Sequence, residues 1–235
     1  MHFHLPKPLH GWREFIGEVG IIVIGVLIAL GAEQVIDEWR WEQKVAAAEQ
    51  SMNEEIKNSL LGAAELNRLK HCSTIQLDAL QGAIIRGDQT QARQLLTYGN
   101  AFGVTRLWAD NAFQATLSAQ VSDHLGPEKL KHYSQVYQLI RQIRRAQDEQ
   151  DLAPDLAMLV FTPDLPNTPE RRYAQLREVA QSRLLLLIES TTAGWLARNA
   201  KKDLGLEVSE KDYLATPSRA KVIKECEAAA AALKT

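Results

Sequence analysis

Cysteine is scarce in this chain. Cys72 and Cys226 are the only two among 235 residues, too few for a disulfide framework and without CxxC spacing. They read as buried free thiols or as one long-range bridge. Free thiols are the preferred reading, because a bridge needs Cα atoms within about 7 Å, which the sequence cannot show. Net charge is also small, at -2, with acids and bases interspersed. Without a broad basic field the chain has no electrostatic footprint for nucleic acid, and none is expected as a partner. Motifs that carry chemistry are missing as well. There is no phosphate-cradling glycine loop, no HExxH and no GxSxG, so neither enzymatic activity nor a cofactor is expected. Finally, no stretch alternates convincingly at period two, and the fold class is therefore all-α.

What the sequence does have is one long apolar run, Phe15 to Ala32, broken only by Glu18. Eighteen helical residues rise about 27 Å, close to the roughly 30 Å hydrocarbon core of a bilayer. Val19 to Leu30 lacks the polar stripe of a helix in a soluble domain. Trp12 precedes the run and Trp39 and Trp41 follow it, so these three indoles are expected to anchor the helix at the membrane interfaces. Three readings compete: a permanent signal anchor, a cleaved signal peptide and the central helix of a soluble core. Ala29-Leu30-Gly31 fits a small-x-small cleavage site. The anchor is preferred, because Glu18 intrudes at the start of the run and a helical pattern continues beyond Ala32. A lipid bilayer is thus the first expected partner.

Glu18 needs a reason, since a carboxylate in a span costs about 2.5–3.5 kcal/mol at the helix centre and less near the interface. At 100° per residue Glu18, Ile22, Gly25, Ala29 and Ala32 share one stripe, and Gly25-x-x-x-Ala29 is a small-x-x-x-small pair of the kind that lets helices approach in lipid. The stripe is expected to be a helix-helix interface, to a second copy or to a membrane partner. The alternative is that Glu18 snorkels and the small residues are incidental. Lys7 and Arg13 before the run balance Arg40 and Lys44 after it, so the positive-inside rule is nearly tied. The N-terminal amine tips the expectation toward a cytoplasmic N-terminus and a C-terminal domain outside the inner membrane.

The chain divides into a short tail (1–11), the membrane helix (12–36), a helical bundle (37–204), a connector (205–218) and a C-terminal helix (219–235). His2, His4 and His10 lie in the tail, where nothing fixes a metal geometry. Val45, Ala48, Met52, Ile56, Leu60, Ala63 and Leu66 recur at steps of three or four, so the membrane helix is expected to run on, with a bend over Asn67–Thr74. Leu77, Leu80 and Ile84 mark a following helix that Gly87 stops, and Asp88 with Gln91 reads as a capping box for Gln89–Tyr98, ended by Gly99-Asn100. Thr105–Ala119 is expected to be helical, with Leu107, Trp108, Ala112, Phe113 and Leu117 near one face. Pro127 opens a helix whose Leu130, Tyr133, Val136, Tyr137, Ile140 and Ile143 face a core, while Arg141, Arg144 and Arg145 form a solvated face. Pro154 and Thr162–Pro169 mark a bend and a loop. Thr168 caps a long helix, Pro169–Lys202, in which Leu184 to Ile188 reads as a deeply buried segment. Asp123, His124, Glu128 and His132 are the best metal constellation, yet their spacing does not match the Glu-x-x-His pairs of helical di-metal sites, and no metal is expected.

Gly17-Glu18 followed by Val23-Ile24-Gly25-Val26-Leu27-Ile28-Ala29-Leu30 and then Trp39 resembles the start of a bacterial domain-of-unknown-function family of single-pass membrane proteins. Phe113 to Tyr133 is similar to the helix-turn-helix of their soluble part. The chain departs from the pattern at Gly31-Ala32-Glu33-Gln34, where the family has an asparagine-rich exit. The resemblance implies a membrane-anchored helical protein and brings no catalytic residues. The expected function is a membrane-anchored helical interaction or scaffold module that assembles with itself or with an envelope complex. The alternative is a ligand-sensing bundle acting through a membrane partner, since a tail of about a dozen residues is too short to be an output domain.

Overall fold

The computed structural model describes residues 11–98, 106–150, 154–162 and 166–233. The tail with its three histidines and the Gly99-Asn100 stop lie outside these residues, as do Thr105 and part of the Thr162–Pro169 loop. The described residues are all-α, forming α1 (Trp12–Arg86), α2 (Gln89–Tyr98), α3 (Asn111–Ser118), a 3-10 turn (Val121–His124), α4 (Pro127–Gln150), α5 (Pro154–Phe161), α6 (Pro169–Leu204), α7 (Glu210–Leu214) and α8 (Pro217–Ala232). The chain divides into two compact units, Met1–Ala47 and Ala48–Thr235.

In the first unit the described residues are the N-terminal part of α1. No residue of its apolar stretch is buried, and α1 is the one helix among the described residues long and apolar enough to cross a membrane. Trp12 stacks loosely on Phe15, with ring centroids 6.0 Å apart. Trp41 lies under the Lys44 ammonium, 4.1 Å from the ring centroid.

The second unit is built on the rest of α1. Met52, Ile56, Leu60, Ala63, Leu66, Leu77, Leu80 and Ile84 are all buried, as their spacing requires. The bend expected over Asn67–Thr74 is absent. Leu69, Cys72, Ser73 and Gln76 are buried on the same face, so the helix has packing on both sides of this segment and no Gly or Pro to interrupt it. Gly87, at φ +75°, then ends α1 in the left-handed conformation that glycine adopts readily. Asp88 Oδ1 accepts from the Gln91 N–H at 2.9 Å. The capping box is one-sided, however, because Gln91 Oε1 accepts from Arg86 instead.

The α4 helix lies along α6. Its Tyr133, Val136, Tyr137, Ile140 and Ile143 are buried, matching the sequence pattern. Thr168 caps α6 as expected, its hydroxyl accepting from the Arg171 N–H at 3.3 Å. The Leu184–Ile188 reading needs correction. Leu185 and Leu186 are buried, but Leu184, Leu187 and Ile188 are 56%, 51% and 41% exposed. Consecutive residues point 100° apart on a helix, so five in a row circle the axis and only two can face inward. The inward face of α6 is filled partly by Gln175, Glu178, Ser182, Glu189 and Ser190.

The expected helix over Thr105–Ala119 is also shorter than read. Residues 106–110 are not helical and α3 begins at Asn111. Leu107 is 87% exposed, whereas Trp108 is buried. The expected connector contains α7, with a capping box between Ser209 and Asp212.

Candidate functional site

Two places gather the residues singled out by sequence. The first is the span. Glu18, Ile22, Gly25, Ala29 and Ala32 are all exposed on α1. A Cβ added at Gly17, Gly20, Gly25 or Gly31 would meet nothing within 4 Å. Glycine in a helix interior costs about 1 kcal/mol relative to alanine, and no contact among the described residues accounts for these four. Trp12 is 76% and Trp39 60% exposed, and Trp41 is half-buried.

The second place is a cleft of about 700 Å³ in the second unit, lined by Glu55 and Glu65 of α1, Arg106, Asn111 and Arg219 among others. Its walls are held by long-range polar contacts. Asp110 precedes α3 but makes no side-chain cap. Glu55 supplies that cap, accepting from the Asn111 N–H at 3.0 Å and from the Ala112 N–H at 3.2 Å. Its Oε1 also accepts from the Tyr137 hydroxyl at 2.8 Å. Burial and the Glu55 carboxylate push the Tyr137 phenol far above its ordinary range, so Tyr137 acts as a hydrogen-bond donor. Tyr133, which donates to Asn53, is pushed up to about 12 by burial and the nearby Glu49 charge.

The segment leading into α3 is fixed by α4. Gln147 brackets the Arg106 backbone, accepting from its N–H and donating to its carbonyl, each at 3.2 Å. It also accepts from the Trp108 indole N–H at 3.0 Å. Gly62 makes room for that indole, since a Cβ there would come within 3.3 Å of it. Arg144 pairs with Asp110 at 3.0 Å and Arg141 with the same carboxyl at 3.5 Å. These two half-buried arginines are therefore paired across the fold and do not simply form a solvated face, whereas Arg145 is exposed as expected. Burial alone would raise the Asp110 carboxyl; the hydrogen bond and charge of Arg144, with help from Gln114 and Arg141, bring it below its ordinary value.

At the floor of the cleft the buried Glu65 carboxylate lies 3.6 Å from Arg106 and 3.5 Å from Arg219. Desolvation lowers the Arg106 guanidinium, against the raising effects of Glu65 and Glu189. A buried carboxylate flanked by guanidiniums ties α1, the 106–110 segment and α8 together; it offers no nucleophile with an adjacent base.

Cys72 and Cys226 are joined in a disulfide, with Cα atoms 5.8 Å apart, which corrects the preference for free thiols. The bridge sits in a buried cluster with Leu69, Ile223 and Ala230. Among the described residues, no group of three or more His, Cys, Asp or Glu side chains is gathered as metal ligands would be. Asp123 and His124 are exposed in the 3-10 turn, and Glu128 lies 3.8 Å from Lys131.

Sequence missed Glu55, Glu178 and Gln147. Glu178 caps α5 as Glu55 caps α3, accepting from the Leu156 N–H at 2.7 Å. For Glu55 the available signal was a carboxylate on the apolar face of a long helix, beside Met52 and Ile56, a position that demands a partner. No family model, curated protein or solved structure matches this chain.

Proposed function

We propose that this protein is a membrane-anchored helical interaction module that assembles with itself or with an envelope complex through its span. The carrying observation is the uncovered apolar stretch of α1 and the open space beside Gly25. Four interior glycines weaken an isolated helix, and their use in lipid is to let a second backbone come close. Glu18 on the same stripe is hydrogen-bonded to the neighbouring helix or protonated, and Trp12, Trp39 and Trp41 hold the ends of the span at the interfaces. The resemblance to single-pass proteins of unknown activity points the same way.

The N-terminus is cytoplasmic and the soluble unit lies outside the inner membrane. Supporting this side is the Cys72–Cys226 bridge, since disulfides persist in oxidising compartments and are rare in the cytosol. The second unit is then the part of the protein that meets a partner outside the inner membrane.

The test is assembly in mild detergent. Gly25→Leu and Ala29→Leu should lower oligomer size or partner recovery while leaving the protein in carbonate-washed membranes. Val23→Leu and Leu27→Ile, off the stripe, should change neither. Unchanged assembly in both stripe variants would remove the basis for this reading.

A further inference from the structure

The outward face of α6 is apolar and open. Leu184, Leu187, Ile188 and Trp195 are each roughly half exposed, and Ala180, Gln181 and Thr191 among them are exposed as well. Steps of three and four put these side chains on one stripe about four turns long, on the side of α6 away from its buried residues. The stripe is uncharged until it reaches Arg177 at one end and Arg198 at the other, both exposed. A continuous apolar patch rimmed by polar residues marks an interaction site. Gly194 is a second observation. It is the one glycine of α6, and after proline glycine is the least favourable residue for a helix interior. No described residue requires it, since a Cβ there would meet only the end of the Arg198 side chain, at an ordinary contact distance of 3.6 Å. The space beside Trp195 is thus left for something outside the chain.

The stripe is complementary to itself. A second copy of α6 running antiparallel, related by a two-fold axis at the height of Leu186, brings Leu184 opposite Ile188, Gln181 opposite Thr191 and Arg177 opposite Trp195, because the members of each pair lie equally far from residue 186. Apolar side chain then meets apolar side chain, an amide meets a hydroxyl, and a guanidinium meets an indole, whose ring attracts cations. Every contact is made twice, as an isologous interface requires. A parallel seam is worse, because Arg177 and Arg198 would each face their own counterpart. The area is sufficient as well. Half of two leucines, an isoleucine and a tryptophan leaves on the order of 400–500 Å² of apolar surface per copy, and two copies together reach the roughly 1,000 Å² that a specific contact needs.

We propose that two copies of this chain associate through the outward faces of their α6 helices, packed antiparallel. The contact lies in the second unit and does not rest on assembly of the span. An interface of this size is weak and reversible, so a measurement that traps it covalently suits it best.

The test is photo-cross-linking of the full-length protein in membranes, with benzoylphenylalanine in place of Trp195 and two differently tagged forms made together. Irradiation should give an adduct of twice the 26.3 kDa chain mass that carries both tags. Peptide mapping should place the link near Arg177 of the second copy, whereas a parallel seam would place it about 27 Å away along the helix, near residue 195 itself. The same photoprobe in place of Lys224, exposed on α8, should give no such adduct, which separates contact at α6 from mere proximity of copies held together by their spans. Leu184→Glu should lower the yield at position 195 about tenfold, because it sets a carboxylate in the apolar seam. Its melting temperature should match that of the parent, and Thr191→Glu, at an exposed position, decides the matter if Leu184→Glu fails to fold. The proposal is overturned if position 195 gives no doubled adduct, if it links to lipid or to a different protein instead, or if position 224 links as well. It is overturned too if the link maps near residue 195 of the second copy, or if the folded glutamate variant keeps the full yield.

Discussion

Removing the Cys72–Cys226 bridge tests the docking of α8 most directly. The bridge closes a loop of 154 residues, and the chain-entropy relation assigns about 5 kcal/mol at 25 °C to a crosslink of that span. The Glu65–Arg219 pair and the buried cluster around Ile223 are present in the wild type and the variant alike and do not offset this loss. Arg68 and Glu227 pair at 3.0 Å but are each about half exposed, and such a pair contributes at most about 1 kcal/mol. For a unit as large as residues 48–235, 1 kcal/mol moves the melting temperature by about 2–4 °C. The Cys72→Ala, Cys226→Ala double variant should therefore melt roughly 10–20 °C below the oxidised wild type. Either single variant should lose nearly as much as the double, because both break the same bond. Circular dichroism of the full-length protein in detergent measures the shift, and a reductant that brings the wild type down to the variant closes the comparison. Two thiols titrated in the denatured, unreduced wild type, or melting within about 2 °C of the double variant, would refute the reasoning.

Two further predictions concern the polar contacts. Glu55→Ala strips the α3 cap and leaves the Tyr137 hydroxyl with only the Met52 carbonyl, 3.3 Å away; it should cost roughly 2–4 kcal/mol by urea unfolding, and Glu55→Gln should recover part of that. Asp110 has a depressed folded-state pKa, so the stability it contributes is present above its unfolded value of about 3.9 and is lost as pH falls through the lower folded value. Asp110→Asn should lower the urea midpoint at neutral pH and flatten its fall below about pH 4; an unchanged acid limb would mean that the Arg141 and Arg144 pairing contributes nothing.

How much of this fold could be read in advance depended on where each residue's partner lies in the chain. Helices α1 and α4 were legible because their core faces are apolar at helical spacing, as in Met52, Ile56 and Leu60 or in Val136, Tyr137 and Ile140. Local caps were legible too, since Asp88 and Thr168 act within three residues. The α6 face was not. Its inward stripe includes Gln175, Glu178 and Glu189, and an apolar count prefers the wrong side of such a helix. The bend read at Asn67–Thr74 reflects the same limit, because polar residues there, such as Ser73, turned out to be buried.

The cleft was least legible, and for one physical reason. A short helix such as α3 has too few residues to support itself, and its orphan N–H groups are met by Glu55, 56 and 57 residues earlier in the chain. The same holds for Arg144 with Asp110, 34 residues apart, and for Gln147 with Arg106, 41 apart. On a helical wheel Arg144 looks like ordinary surface, since nothing local separates a solvated arginine from one paired across the fold. The cysteines illustrate how such pairs could be found. A spacing of 154 residues says nothing by itself, but Glu65, Leu69 and Cys72 on α1 match Arg219, Ile223 and Cys226 on α8 step for step. Two helices that present charge, apolar residue and thiol in the same order at the same intervals specify their own register.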